Sequence, residues 1–193
     1  MSIGHNNGPG MASGAGFRKH CWTKARADLL PKLPIEVIRR RVKRAAELGL
    51  DYKSYASIRA TSGHDVVAFL FSTNALRLLK AKGILPADRV EKLASLQRCG
   101  RLVAVQRPLT PQDMQRAAAK SDIPLDTIIM APDLRHTWGQ TRAALLTALA
   151  PQHLPADRVV VIGDTMLERD WCAAGRLAGY VSAEHYFNEN TGP

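Results

Sequence analysis

The sequence predicts an α/β protein, a five-stranded parallel sheet flanked by helices and preceded by a basic helical segment. Three observations carry this expectation. From residue 62 onward, short apolar and β-branched runs alternate with helical stretches, the mark of successive strand–helix–strand units. Charge is concentrated ahead of that region: residues 17–60 hold twelve Lys or Arg against four acids, which is +8 of the chain's net +10. Apolar residues make up 46% and charged residues 23% of the chain, an ordinary globular balance that argues against disorder.

A chain of 193 residues has room for one domain with a true core plus an accessory segment. The expected divisions are a flexible Gly/Asn/Ser tail over 1–16, a basic helical segment over 17–61, the α/β domain over 62–187 and a short tail over 188–193. Phe17 to Leu30 has a helical pattern that Pro31 and Pro34 interrupt. Ile35, Ile38, Val42, Ala45 and Ala46 then recur on one helical face, with Arg40, Arg41, Lys43, Arg44 and Glu47 elsewhere around it, and Gly49 is placed to end the helix. Tyr52 to Ala60 predicts a further short helix before the Thr61-Ser62-Gly63 break.

The expected strands are Val66–Phe71, Leu102–Gln106, Thr127–Met130, Val159–Ile162 and a short one at Tyr180–Val181. Pro86 opens a helix over Val90–Leu96. Thr110 caps another, with Pro111 at its first position and Asp113 at its third. A third helix runs over Trp138, Thr141, Leu145 and Leu149, and a fourth follows Met166. Leu85–Val90 and Leu154–Val159 are identical, but one continues into a helical pattern and the other into a strand, so they share a turn and not a repeat.

The longest apolar run, Val66–Phe71, is too short to span a bilayer. The opening MSIGHNNGPGMASGAG lacks the apolar centre of a signal peptide, so a cytoplasmic protein is expected. Cys21, Cys99 and Cys172 have no metal-site or disulfide spacing and predict buried thiols.

The segment richest in chemistry is Val159 to Gly179. Its strand ends in Gly163-Asp164, setting a carboxylate at the C-terminal sheet edge, where open α/β folds bind ligands. Glu168 follows one helical turn later and can return towards Asp164. Paired acids there suit Mg²⁺, a hard cation that takes oxygen ligands. This segment resembles the fourth motif of the haloacid dehalogenase superfamily, a strand followed by GDxxxD and an Ala/Gly-rich helix. Thr127 to His136 resembles the third strand and basic-residue motif of the subgroup that includes histidinol-phosphate and heptose-bisphosphate phosphatases. Leu102 to Asp113 is similar to the second strand and its loop, with Gln106 nearest the usual Thr or Ser. The resemblance implies a Rossmann-like sheet over 62–187 and makes Arg135 the residue expected to hold a phosphate.

The first strand departs from that pattern. Val66 to Leu76 aligns with the hydrophobic strand and its DxDGT, but the nucleophilic Asp falls on Phe71 and the acid–base Asp on Thr73. A phenyl ring cannot form the phosphoenzyme. Reading Ser72-Thr73-Asn74 as the second motif leaves no strand for the first. Asp65 lies at the beginning of the strand, roughly 20 Å from its far end. The resemblance therefore implies a non-catalytic pseudo-phosphatase with a vestigial pocket of Ser72, Thr73, Asp133, Arg135, Asp164 and Glu168. It would hold Mg²⁺ at most weakly, through Asp164 and Glu168. The other reading is a divergent Mg²⁺-dependent phosphohydrolase acting on a small phosphorylated substrate.

The basic helices supply the binding expectation. Arg39, Arg40, Arg41, Lys43, Arg44, Lys53 and Arg59 form the candidate partner surface, for nucleic acid or an acidic protein. Residues 44–59 resemble a helix-turn-helix, with Ala45 and Gly49 four apart and Leu50, Tyr55 and Ile58 as later apolar positions. In that motif Lys53, Ser54, Ser57 and Arg59 would face DNA. Two other readings stand beside it: a solvated face of helices that cap the domain, or a basic surface without groove-specific geometry.

Overall fold

The computed structural model describes residues 33–188, and the chain divides into two compact units, residues 1–39 and 40–193. The described part of the first unit is residues 33–39, which include the start of α1 (Ile35–Glu47). There Arg39 donates to Glu36 at 2.7 Å, with both side chains exposed. The expected tail over 1–16, the helix over 17–30, Cys21 and residues 189–193 lie outside the described residues.

The second unit carries the sheet. After α2 (Tyr52–Ser62) come β1 (Ala68–Ser72), α3 (Ala87–Ser95), β2 (Gly100–Val105), α4 (Pro111–Lys120), β3 (Thr127–Met130) and α5 (Trp138–Leu149). They are followed by β4 (Val159–Gly163), α6 (Met166–Gly175), β5 (Gly179–Ser182) and α7 (Ala183–Asn188). The five strands pair in parallel in the order β3-β2-β1-β4-β5, a Rossmann-like α/β arrangement with β1 at its centre.

The pleat sends alternate side chains to opposite faces, and both faces are covered, which is why the strands read as continuous apolar runs. Phe69, Phe71, Val103, Val105, Val160 and Ile162 enter one core, with Leu93 of α3 and Met114 of α4. Leu70, Leu102, Ala104 and Val161 enter the other, with Leu145 of α5 and Trp171 of α6. The chain thus winds outward from β1 to β3, returns, and continues from β4 on the other side of β1. The reversal leaves a switch point at the C-terminal ends of β1 and β4, where such sheets place ligands.

Ala45, Leu48, Leu50, Tyr55 and Ile58 belong to the same core as Phe69 and Phe71, so the second unit begins at Arg40. The apolar stripe of these helices finds its partner in the sheet's own core. Gly49, at φ +62°, closes α1 in the left-handed conformation that glycine adopts without strain. Among the described residues, no helix is long and apolar enough to cross a membrane.

Candidate functional site

β1 delivers Ser72 and Thr73 to the switch point, and both are buried. Both are also engaged: Ser72 Oγ accepts from the Ala75 amide at 3.0 Å, and Thr73 Oγ1 accepts from the Gln106 amide at 3.0 Å. These hydroxyls tie down strand ends. Phe71, at the position aligned with a nucleophile, points into an aromatic cluster, its ring centroid 5.9 Å from Tyr186 and 6.4 Å from Phe187. That position belongs to the core and not to the edge.

β4 ends in Gly163-Asp164, and Thr165 caps α6. Glu168 completes a capping box at the third helical position, which folds its carboxylate back over the strand end. Oε2 accepts from the amides of Asp164 and Thr165, the latter at 2.9 Å. Oε1 accepts from Asn74 Nδ2 at 3.1 Å and Gln106 Nε2 at 2.5 Å. Glu168 is 0% exposed, and this single carboxylate joins the ends of β1, β2 and β4. Gly163 makes room for it: a Cβ there would lie 2.8 Å from Glu168 Cβ and 2.9 Å from Oε2.

This donor set does not fit a magnesium ion. The four N–H groups fill the lone-pair directions of Glu168, and Asn74 and Gln106 present their donor ends to it. Asp164 is left as an exposed carboxylate that accepts no hydrogen bond from the described residues. Among those residues no three His, Cys, Asp or Glu side chains gather as a metal site. In this arrangement the capping box engages Glu168.

Beyond β3, Arg135 turns back onto Asp133, with Nε 3.1 Å and Nη2 2.6 Å from Oδ2, and the Arg135 amide donates to Oδ1 at 3.0 Å. His136 Nδ1 lies 2.9 Å from the same carboxylate and Arg107 Nε lies 3.8 Å from it. The Arg135 hydrogen bonds, with that of His136, hold the Asp133 carboxyl well below the usual carboxylate range. Arg135 therefore completes a local ion pair with Asp133, its side chain still largely exposed. The cavity bounded by Thr73, Asn74, Gln106 and Arg107 is about 80 Å³, too small for a sugar phosphate.

The basic residues separate into two groups. Arg44 is largely buried and engaged at all three guanidinium nitrogens. Nε meets Asp65 Oδ2 at 3.1 Å, Nη1 meets Glu47 Oε2 at 3.1 Å, and Nη2 donates to the Val66 carbonyl at 2.9 Å. Further bonds reach the carbonyls of Gln97 and Arg98. Asp65 also accepts from Tyr55 Oη at 2.8 Å, with Arg59 Nη1 at 3.9 Å. Arg44 thus leaves the candidate partner surface, because its long stem reaches inward to join α1 to the start of β1, and Arg59 is partly drawn in by the same acid. Arg40, Lys43 and Lys53 are exposed, and Arg41 is half-buried.

No protein-family model matches the chain, and no curated protein matches it.

The side chains that a helix-turn-helix would aim at DNA have another setting here. Lys53, Ser54 and Ser57 of α2 line a cleft of about 470 Å³ whose other walls are Arg169, Tyr180, Ser182 and His185. Ser54 Oγ lies 2.8 Å from His185 Nε2, and Asp51 Oδ2 lies 3.3 Å from the same nitrogen. Serine, histidine and aspartate meet, but both contacts fall on one ring nitrogen, so the imidazole cannot pass a proton between them as a triad does. Sequence reasoning did not single out Arg169, Tyr180 or His185. α7, with six residues, has too little periodicity to announce itself.

Proposed function

We propose that this protein is a non-catalytic, haloacid-dehalogenase-like domain that acts by binding, its exposed N-terminal cations contacting nucleic acid. The observation that carries this reading is the arrangement at the switch point. Phe71 is part of the core, and the Glu168 carboxylate is engaged by four N–H donors. A phosphoryl-transfer site needs a free nucleophile and a bound cation facing substrate. The end of β1 offers instead two buried hydroxyls bonded to backbone amides. No observation favours the phosphohydrolase alternative.

Arg40, Lys43 and Lys53, with Arg41 partly exposed, remain as the cationic face. Phosphate contacts release condensed counterions, so affinity for nucleic acid should fall steeply with salt. The test has two arms. Purified protein with Mg²⁺ should turn over sugar phosphates no faster than its Asp164→Asn variant. Removing Arg40 and Lys43 together should lower the slope of log K against log salt by about two. Turnover abolished by Asp164→Asn would overturn the non-catalytic reading. Absence of DNA and RNA binding at low salt would overturn the nucleic-acid reading, and pull-down of an acidic protein would then test the remaining partner.

A further inference from the structure

We propose that the cleft between α2 and the β5–α7 edge binds a small organic phosphate. This site lies apart from the closed switch point and shares only Lys53 with the cationic face, and it does not depend on the nucleic-acid reading. Its volume, about 470 Å³, lies within the usual range for small-molecule sites, where the pocket at the switch point falls short of it.

Charge and geometry select the ligand class. Lys53 stands on the α2 wall and Arg169 on the α6 wall, and neither forms a salt bridge to an acid among the described residues. The one acid in the lining, Asp51, is engaged within the protein. Its Oδ1 accepts from the Ser54 amide at 2.9 Å to cap α2, and Oδ2 faces His185. Two cations on different walls of one cavity favour a compact dianion between them, and a guanidinium offers the fork that phosphate oxygens accept. Arg169 is already oriented, its guanidinium 5.3 Å from the Tyr180 ring centroid.

The rest of the lining matches a polyol or a base. Ser57 and Ser182 provide hydroxyls, which both donate and accept, while Ile58 and Val181 add an apolar strip. A bare phosphate would leave most of this space unfilled. Duplex DNA is far too wide to enter a cleft of this volume.

The experiment is calorimetry on the full chain with glucose 6-phosphate, adenosine monophosphate and inorganic phosphate as probes. At least one organic phosphate should bind with a submillimolar Kd, and inorganic phosphate at least about tenfold more weakly. Lys53→Ala and Arg169→Gln should each weaken the organic phosphate about tenfold. Ser57→Phe, which fills the cleft from an exposed helix position, should abolish binding with the melting temperature of the free protein unchanged. Arg40→Ala with Lys43→Ala should leave it intact, which separates this site from the nucleic-acid surface. Three results would overturn the proposal: no probe bound at ~10 mM, equal affinity for inorganic phosphate, or binding that survives Ser57→Phe and Arg169→Gln.

Discussion

Replacing Glu168 with alanine tests the switch-point geometry most directly. The change removes one acceptor and leaves four N–H donors, on Asn74, Gln106, Asp164 and Thr165. A hydrogen bond to a charged group contributes about 1.5–3 kcal/mol. Asp164 and Thr165 are exposed residues, so their amides can turn to water and recover much of that loss. The carboxamides of Asn74 and Gln106 are half-buried and lose more, and three strand ends lose their common tie. The expected destabilisation is about 3–5 kcal/mol, within the range for removing one member of a buried charged network. For a chain of this size that lowers the melting temperature by roughly 8–15 °C, measured by circular dichroism or calorimetry. Asp164→Asn, one exposed side chain away, should stay within about 0.5 kcal/mol. A loss below about 1 kcal/mol for Glu168→Ala would refute the argument. So would a wild-type melting temperature that rises with millimolar Mg²⁺ and stops responding in Glu168→Ala, since that would make Glu168 a metal ligand.

Gly163→Ala should cost about 1–3 kcal/mol, because the added methyl meets Glu168 Cβ and Tyr180 Cε2 at 2.8 Å; denaturant midpoints would measure it. Arg44→Ala should cost about 1–3 kcal/mol, since Asp65 loses its closest cation while Glu47 keeps Arg98, whereas Arg40→Ala should stay within about 0.5 kcal/mol on the same denaturant curves. Cys99 should resist alkylation in the native state at pH 8, because burial pushes its thiol up to about 12; prompt labelling seen by mass spectrometry would count against the buried position. Stability should hold from pH 7 to 5 and fall in acid. Arg98 first, then Arg44, depress the Glu47 carboxyl, and the Thr110 hydroxyl and amide depress Asp113. Depressed carboxyls stabilise the fold above their unfolded values near ~4 and lose that contribution as pH drops through the folded ones. Glu47→Gln should therefore flatten part of the acid limb of the melting-temperature profile.

The strands were legible because a parallel sheet covered on both faces leaves continuous apolar runs, and the helix at Pro111 because Thr110 and Asp113 form the capping box their spacing announces. Arg44 was misread for a specific reason. Helical periodicity assigns a Cα to a face, but an arginine stem can reach round it, and here it finds Asp65, 21 residues further on. The role of Glu168 was beyond reach for a related reason. Its capping-box position could be read locally, yet its other donors, Asn74 and Gln106, lie 94 and 62 residues away and meet it only after the sheet assembles. The metal reading counted acids along the sequence, and the arrangement depends on which donors come back to them. The cleft was invisible as a whole, because Lys53 and Arg169 come from separate helices and nothing near either predicts the other.

The central position of β1 has a consequence for synthesis. It is made before the other four strands of this sheet, yet it pairs on one side with β4, about ninety residues later, an association of the slow non-local kind. The aromatic rings on one side of it wait longer still, since Tyr186 and Phe187 come last among the groups that cover Phe69 and Phe71. A nascent chain that has produced β1 to β3 therefore carries a sticky, half-clad hydrophobic surface until residues 183–188 emerge. Pauses or truncations that withhold residues 183–188 should be more damaging than so short a segment would suggest, and holdase chaperones should engage these unfinished chains.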